Sequence, residues 1–403
     1  MSSQAPAGLP ERTTLGVEEE FLLVDPETLR PVGRSGPVVA EGRRRLGDGP
    51  LVPELSQAMV ETVSAVCDGP AGLYRELMRL RRAAVRAAGV HGCLLMASGT
   101  SPDGPAGPAF GPEPSGAPAL LDHPRYARMR QRFGPLLEDQ AVCACHVHVG
   151  VPDVATAVAV VNHLRPWLPL LLALTANSPF WYSKDTGYAS WRTVVWSRWP
   201  SAGPPPLLRS AAHYEESVRC LVASGAALDP AMLYWYARPS RHVPTVEVRI
   251  ADVLPGIEET VAYALLVRAL VAHARGQTEQ GIPPPPVDQE VLVAACWQAA
   301  KEGTSGLLLD LHGKRAPAAT PVTGQIDSLR AVVGPHLLAD DERKRVERWL
   351  DLLVREGNGA ERQRAARRRT GSLRGLVEHM TLTESGLSAS RDEFLSPYSE
   401  EAP

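Results

Sequence analysis

The sequence has 403 residues, 44% of them hydrophobic, so it is long enough for one large domain or two ordinary ones with a buried core. Its 42 Lys and Arg residues nearly balance its 45 Asp and Glu residues, and the net charge of −3 argues against nucleic-acid and anionic membrane partners. The first residues lack the features of a signal peptide, and the most apolar region, residues 154–176, is interrupted by polar residues and prolines. We therefore expect a cytoplasmic protein without a membrane span, whose six cysteines are reduced thiols.

Apolar periodicity and turn residues predict the secondary structure along the chain. Residues 26–49 are predicted to be a connection with turns, and residues 100–118 a long loop rich in proline and glycine. We expect residues 1–12 to be disordered, residues 13–384 to form a single domain and residues 385–403 to be a flexible tail. The predicted strands are 13–24, 141–151 and 244–253, and the predicted helices are 70–90, 123–139, 154–175, one after Pro206, 257–275, 288–302 and 341–369.

The three predicted strands carry polar residues on one face and apolar residues on the other. Side chains two residues apart on a strand project together, roughly 6–7 Å from one another. Each polar pair alone is typical of a solvated face, but together the pairs are better explained by one sheet with a packed back and a shared polar site on its front. The pairs are Glu18 and Glu20, His146 and His148, and Glu247 and Arg249.

A fourth segment, PELSQAMVET, adds Glu54 and Glu61, whose spacing of seven suits one side of a helix or of a bent or bulged strand. Carboxylates with one or two imidazoles favour hard divalent cations such as Mg²⁺ or Mn²⁺, whereas zinc takes more nitrogen or sulfur ligands. Cys143 and Cys145 fall on the valine face of their strand, so we assign them to the core. A cage of carboxylates around several cations, without an evident nucleophile, suits phosphoryl transfer.

The sequence contains no Walker A motif, no dinucleotide-binding fingerprint and no G-x-S-x-G elbow. If ATP binds, it therefore binds a fold without a P-loop.

Five stretches of this sequence, in this order, resemble the glutamate-cysteine ligase type 2 family, specifically its bacterial carboxylate-amine ligase branch. The resemblance extends from about residue 13 to about residue 384. The stretches are GVEEEFLLVDP, CHVHVGVPD, LTANSPFWYSKDTGYASWRTVVWSRWPSAGPPP, RPSRHVPTVEVRIADV and REGNGAERQRAARRRTGSLRGLVEH.

This resemblance implies an α+β, glutamine-synthetase-like fold, in which a curved and largely antiparallel catalytic sheet has helices packed on its outer face. It implies that ATP enters the groove from one end and a carboxylate substrate from the other. Members of the family phosphorylate a carboxylate, commonly the γ-carboxylate of glutamate, and an amine then displaces phosphate to leave an amide. The implied cofactors are ATP and two or more Mg²⁺ or Mn²⁺ ions, and the implied partners are small-molecule substrates and further copies of the chain in a dimer or higher homo-oligomer.

The resemblance also implies roles for individual residues. The implied divalent-cation ligands are Glu18, Glu20, Glu54, Glu61, His146 and Glu247. The implied nucleotide-binding residues are His148, Arg238 and Arg241. The implied catalytic residues are Arg249, Arg241 and Glu247, of which the arginines hold phosphoryl oxygens and the substrate carboxylate. The implied substrate-binding residues are Arg192, Arg249 and Asn177, and Asn177 could instead end the preceding helix.

The sequence departs from the family pattern in two places, which leaves the substrates open. Ser101 and Pro102 replace the usual His-Pro, and residues 182–184 replace a segment that usually contains Gln and Gly. The amine can therefore be cysteine or another small amine. The aromatic residues that flank the second departure are expected mostly to pack beneath their loop: Trp181, Tyr188, Trp191, Trp196 and Trp199.

Three other functions are considered. One is a kinase of the same fold that stops after phosphoryl transfer, and another is a non-catalytic homologue that binds nucleotide or metal, although none of the implied ligands is lost. A third is nucleic-acid binding through residues 43–45 and 367–369, which the overall charge disfavours.

Overall fold

The computed structural model describes residues 13–103, 123–137, 140, 142–312 and 318–387. The predictions of a disordered start, of most of the loop at 100–118 and of most of the C-terminal tail concern residues outside these ranges. The prediction of a single domain over residues 13–384 stays a prediction.

Twelve strands occur in the described part of the chain, and eight of them form the main sheet. They are β1 (Leu15–Val24), β2 (Leu51–Pro53), β3 (Met59–Val63), β4 (Leu94–Met96), β5 (Ala144–Gly150), β6 (Phe180–Trp181), β7 (Lys184–Asp185), β8 (Ala237–Pro239), β9 (Thr245–Asp252), β10 (Leu307–Asp310), β11 (Ala318–Pro321) and β12 (Thr381–Leu382). The pairs β6–β7 and β10–β11 form two small separate ribbons.

The main sheet is built around β1. Strand β3 lies along one edge of β1, whereas β5 and β4 pair with successive parts of the other edge. Strands β9 and β8 follow beyond β5, β12 lies beyond β4, and β2 lies beyond β3. Every pairing is antiparallel, which confirms the predicted largely antiparallel sheet.

Thirteen α-helices accompany these strands in the same described ranges. They are α1 (Ser35–Leu46), α2 (Pro70–Val90), α3 (Pro124–Phe133), α4 (Val154–Leu164), α5 (Leu168–Thr175), α6 (Trp191–Trp196), α7 (Ala211–Ala223), α8 (Ile257–Glu279), α9 (Gln289–Glu302), α10 (Val322–Val333), α11 (Asp340–Glu356), α12 (Gly359–Thr370) and α13 (Leu373–Met380).

The back of the sheet packs against helices, as its apolar residues require. Val147 and Val149 of β5 and Val246 and Val248 of β9 are fully buried in one core cluster with α4, α5 and α8. Helix α8 is buried around most of its circumference, as expected for a helix enclosed between the sheet and an outer layer that includes α11. Burial of this apolar surface leaves the opposite, front face of the sheet for polar chemistry.

One stretch, Val154–Thr175, is apolar and long enough to span a membrane by length and composition alone. It comprises α4, a 3₁₀ turn at Arg165–Trp167 and α5, and 89% of its most apolar window is buried inside the protein. This is the burial of a core helix. Pro166 lies in this 3₁₀ turn and Pro169 in the first turn of α5, where proline is tolerated because its missing backbone donor would have no partner there.

Two predictions of secondary structure were wrong. Residues 26–49 contain helix α1, where Gly42 is not a turn residue but allows close packing, since a Cβ atom there would overlap the Leu51 side chain. The predicted helix at 341–369 is two helices separated at Gly357, which has a positive φ of 78°. Asn358 and Glu361 then form a capping box that starts α12.

Candidate active site

The register of the sheet places the polar residues of neighbouring strands side by side on its front face. Glu18 of β1 lies directly opposite His146 of β5, and Glu20 lies opposite Glu61 of β3. On the other side of β5, His148 lies opposite Glu247 of β9. Directly opposed residues have Cβ atoms about 4.5–5.5 Å apart, so these side chains converge on one area.

A β-bulge sets the position of Arg249 on this face. Cys145 pairs with Ala251 and Val147 pairs with Val248, so two residues of β9, Arg249 and Ile250, oppose the single residue His146. Without the extra residue of this bulge, the side chains of β9 on one side of it would point to the other face of the sheet from the one they now occupy.

Two groups of residues on the front face have the composition and spacing of cation sites. The ligand atoms of Glu18, His146 and Glu247 all lie within 4.8 Å of one another, and so do those of Glu20, Glu61 and His146. His146 belongs to both groups. Its Nδ1 lies 3.0 Å from Glu18 Oε2 and its Nε2 lies 3.8 Å from Glu20 Oε1.

The buried Nε2 atom of His146 has no hydrogen-bond partner among the described residues. A buried ring nitrogen without a partner is costly, because its interactions with water have been lost. The same nitrogen faces the carboxylate of Glu20, so a cation between the two would satisfy both. The residues present therefore fit a divalent cation, and the excess of oxygen over nitrogen ligands suits Mg²⁺ or Mn²⁺.

Burial and mutual repulsion raise the pKa of three of the carboxyl groups. The pKa of Glu20 is raised to about 7, mainly by burial and then by the charge of Glu54. Burial also raises the pKa of Glu54, and that of Glu61 lies well above its usual value because of burial and the charges of Glu54 and Glu18. These three carboxyl groups would repel one another if all were ionised, and a divalent cation would relieve this repulsion.

Two carboxylates in the same area are held ionised. Burial alone would raise the pKa of Glu18, but hydrogen bonds with His146 and His148 lower it overall. Burial opposes ionisation of Glu247 as well, but the charges of Arg249 and Arg238 hold its pKa well below the usual value. The pKa of His146 is lowered to about 4 by burial and then by Arg249, so its imidazole is neutral and can serve as a ligand at neutral pH.

Two arginines converge on Glu247. Arg238 Nε donates to Glu247 Oε2 at 2.7 Å, and Arg249 Nη1 donates to Glu247 Oε1. Arg238 is fixed further by a bond of 2.6 Å from its Nη1 to the carbonyl of Leu233. His148 is oriented by Thr245, whose hydroxyl lies 2.9 Å from the ring Nδ1. The front face therefore presents two guanidinium groups and an imidazole beside the acidic cluster.

A cavity of about 210 Å³ opens beside the acidic cluster. Glu20, Glu54 and Arg249 line one part of it. The remaining walls come from residues whose involvement the sequence did not reveal, because no spacing rule relates α3 and the segment before β8 to the three strands. These residues include Arg125, Tyr126, Met129, Gln140 and Tyr234. Trp196 and Trp199, which we expected to pack beneath their loop, also lie in the wall.

The structure does not bring three of the sequence-predicted residues into this cluster. Arg241 lies at the surface, where its guanidinium is 3.2 Å from Glu215 of α7. Asn177 is buried, and its side-chain amide donates to the carbonyls of Ala97 and Val253. This environment matches the structural alternative for Asn177.

Arg192 is the third residue, and it lies beneath the front face. Its guanidinium donates to the backbone carbonyls of Ile250 and Arg249 at 3.3 Å each and lies 3.7 Å from Asp252. Asp252 in turn accepts bonds of 2.7 Å from the backbone N–H of Asn177 and from the hydroxyl of Ser178. Arg192 is thus tied to the backbone that carries Arg249.

The chain is an ATP-dependent carboxylate-amine ligase, the class that the sequence predicted, as its family and its relatives show. The chain belongs to glutamate-cysteine ligase family 2, whose family model matches residues 14–379. Among the curated relatives, a protein of Saccharopolyspora erythraea provisionally named glutamate–cysteine ligase 2-1 is 47% identical over 367 residues, covering 91% of this chain and 93% of the relative. A Salinispora arenicola protein provisionally named glutamate–cysteine ligase 2 is 43% identical over 371 residues, covering 91% and 94%.

Solved structures confirm the predicted glutamine-synthetase-like α+β fold. Glutamate–cysteine ligase of Francisella tularensis, solved in complex with AMP, has a TM-score of 0.65 and 12% identity, covering 96% of this chain and 90% of that chain. A bifunctional glutathione synthetase of Pasteurella multocida has a TM-score of 0.61 and 14% identity, covering 95% and 53%. At these identities the likeness shows the fold.

Proposed function

We propose that this chain uses ATP and divalent cations to activate an amino-acid carboxylate, in the first instance the γ-carboxylate of glutamate, as an acyl phosphate. A small amine, cysteine or another, then displaces phosphate to form an amide, with release of ADP and phosphate. The observation that carries the proposal is the pair of cation-ligand groups that share His146 on the front face, next to Arg249 and to a cavity.

In this proposal, six residues hold the cations: Glu18, Glu20, Glu54, Glu61, His146 and Glu247. Glu18, Glu20, Glu61 and Glu247 belong to the two ligand groups that share His146, and Glu54 lines the adjoining cavity. The cations would neutralise phosphate charge as the phosphoryl group moves from ATP to the carboxylate.

Arg249 and Arg238 hold oxygens of the phosphoryl group and of the carboxylate that receives it. A planar guanidinium can bind two oxygens at once, and its charge is permanent. Both guanidinium groups are already aimed at an anion, because they bind the carboxylate of Glu247. His148 of β5, held by Thr245, contacts the nucleotide phosphates. We leave Arg241 out of this set, because it pairs with Glu215 at the surface.

The alternative in which the enzyme only phosphorylates its substrate uses the same residues, so product analysis must separate the two. Purified protein, Mg²⁺ and ATP are incubated with glutamate and other amino acids against a panel of amines that includes cysteine. ADP release is followed, and each positive mixture is analysed by mass spectrometry. ADP release that depends on both acid and amine, with an amide of the expected mass, supports the ligase. A stable phosphorylated acid without amide identifies a kinase, and the absence of turnover with every pair contradicts the proposed substrates.

The cytoplasmic location and the homo-oligomeric state stay predictions. Sedimentation of the purified protein measures the oligomeric state directly: a species of twice the chain mass or more supports the prediction, and a monomer contradicts it.

A further inference from the structure

Arg125 places a positive charge in the wall of the cavity, apart from the cation-ligand groups. It projects from α3, whereas Glu20 and Arg249 come from the sheet. Its side chain is partly exposed, at 27%, and Glu54 lines the same cavity. The cavity therefore has an acidic, cation-binding end at the sheet and a guanidinium on α3.

The guanidinium of Arg125 is oriented by the protein but is not fully used. Its Nε and Nη2 donate to the two carboxylate oxygens of Asp229 at 3.1 and 3.3 Å, and its Nη1 lies 3.6 Å from the sulfur of Met129. Three of its five N–H groups are engaged in these contacts. Among the bonds formed within the described residues, the other two have no acceptor and are available to a ligand.

Asp229 is itself fixed, because its Oδ1 accepts a bond of 2.9 Å from the backbone N–H of Ala231. The backbone of a short 3₁₀ turn therefore holds the Asp229 carboxylate in place, and the ion pair is not formed by two freely moving surface side chains. It holds the guanidinium at the cavity wall before a ligand arrives.

Aromatic rings form the walls around these two ends. The ring centroids of Trp196 and Tyr234 are 4.6 Å apart, and those of Trp199 and Tyr234 are 5.5 Å apart. With Tyr126 and Met129 they give the cavity an apolar surface that suits the methylene groups of a short aliphatic chain. At about 210 Å³ the cavity is smaller than the roughly 300–1,000 Å³ of pockets for drug-sized ligands, so its size suits one amino acid.

We propose that Arg125 binds the α-carboxylate of the acid substrate, so that the enzyme selects an amino acid with two carboxylates joined by a short aliphatic chain. This inference rests on the proposed function. The carboxylate that is to be phosphorylated lies at the sheet end, near Arg249 and the cation ligands. The aliphatic chain lies along the aromatic walls, and the second carboxylate meets the free N–H groups of Arg125.

A comparison of two acids tests this assignment. Amide formation is measured with glutamate and with 4-aminobutyrate, which keeps the amine and the reactive carboxylate but lacks the α-carboxylate. The wild type should prefer glutamate in kcat/KM by on the order of 100-fold or more, because a site built to bind a charged group rejects the analogue without it. Arg125→Met should lower kcat/KM for glutamate by that factor and leave the value for 4-aminobutyrate within about threefold.

Two further variants control this comparison. Arg128→Met removes the same charge from an exposed position of the same helix and should leave the preference unchanged. Arg125→Lys keeps the charge without the planar fork and should restore part of the preference. Thermal melting of each variant establishes that the protein is folded before rates are compared.

Two results would overturn the assignment. In one, Arg125→Met keeps the full preference for glutamate. In the other, it instead abolishes the preference for cysteine over cysteamine, which would mean that Arg125 binds the carboxylate of the amine substrate. If the wild type makes no amide, the proposed function fails independently of this assignment. Calorimetry of glutamate binding to the wild type and to Arg125→Met then tests whether Arg125 binds the acid. Equal affinities reject the assignment, and loss of binding in the variant supports it.

Discussion

Glu19 and Arg81 form an ion pair whose side chains are both completely buried. Arg81 Nε and Nη2 donate to the two carboxylate oxygens of Glu19 at 3.0 and 2.6 Å, and Arg81 Nη1 donates to the carbonyl of Pro255 at 2.8 Å. Glu19 lies between Glu18 and Glu20 in β1, so its side chain points to the opposite face of the strand. The pair joins β1 to α2 and to the start of α8, and thereby fixes which face of β1 carries the two outer glutamates.

Arg81→Met should lower the free energy of unfolding by about 3–5 kcal/mol, because it leaves the Glu19 carboxylate buried without a counter-ion. Urea denaturation followed by tryptophan fluorescence measures this change. Arg79→Met is the matched control, since Arg79 is partly exposed on the same helix and pairs with Glu76; its cost should be about 0–1 kcal/mol. Equal costs for the two variants would show that the buried pair does not fix β1.

A variant that lacks one cation ligand should lose metal binding while it still folds. In the wild type, Mg²⁺ or Mn²⁺ should raise the melting temperature, by the equivalent of about 2.7 kcal/mol when the cation is at 100 times its Kd. Glu61→Gln should lose most of this increase and lower ADP release by on the order of 100-fold or more. Glu76→Gln removes a carboxylate outside the site and should retain both properties. A Glu61→Gln protein with unchanged cation response would exclude Glu61 as a ligand.

The raised pKa values predict how pH affects the metal-free protein. At pH 6.5 the Glu20 carboxyl, with its pKa raised to about 7, still holds in the folded state a proton that the unfolded chain has released, and it loses this proton between pH 6.5 and 8; the raised pKa of Glu61 acts in the same direction. Stability therefore falls as pH rises through this range, by up to ~1.4 kcal/mol per pH unit for each titrating group. Histidines with lowered pKa values, such as His146, act in the opposite direction but only below about pH 6.5.

Denaturation of the metal-free protein at several pH values checks this slope. Glu61→Gln should flatten it, and saturating Mg²⁺ should stabilise the wild type more at pH 8 than at pH 6.5, because cations replace protons at the carboxylates. A stability that stays level or rises between pH 6.5 and 8 would contradict the assigned shifts.

A variant of Arg192 tests whether this residue binds substrate or supports the sheet. Its bonds to the carbonyls of Arg249 and Ile250 lead us to expect that Arg192→Met destabilises the protein by about 1–3 kcal/mol and lowers kcat, with KM for the acid within about twofold. Steady-state kinetics with both substrates tests this expectation. The exposed Arg219 provides the control variant Arg219→Met. A large rise in KM with unchanged stability would instead support the substrate contact that the sequence predicted.

The alternation of polar and apolar residues on β1, β5 and β9 was sufficient to predict which side chains the sheet brings together. It succeeded because a strand buried on its back face has a strongly specified register. Glu54 and Glu61 required an additional strand pair: Glu61 lies in β3, paired with Val52 of β2, and Glu54 follows directly after β2. Their spacing of seven predicted one side of a helix or of a bent or bulged strand, whereas a turn between two paired strands separates them in the structure.

The remaining features depend on contacts between distant parts of the chain. Arg125 and Tyr234 reach the cavity only because α3 and the segment before β8 pack beside the sheet, and no local pattern encodes that packing. Asn177 and Arg192 belong to one of the stretches that resemble the family, but their bonds to backbone carbonyls depend on the path of β9 and its bulge. Helix α1 was missed because glycine has a low intrinsic helix propensity, whereas Gly42 is required there for close packing against Leu51.

The central claim is that a carboxylate is activated as an acyl phosphate before the amine attacks. With the acid and amine pair that gives amide, the acid is supplied with both oxygens of its reactive carboxylate labelled with ¹⁸O. One labelled oxygen is transferred to phosphorus when the acyl phosphate forms, and it leaves with phosphate when the amine displaces it. We expect inorganic phosphate with one ¹⁸O and an amide that retains the other, and unlabelled phosphate would contradict the claim.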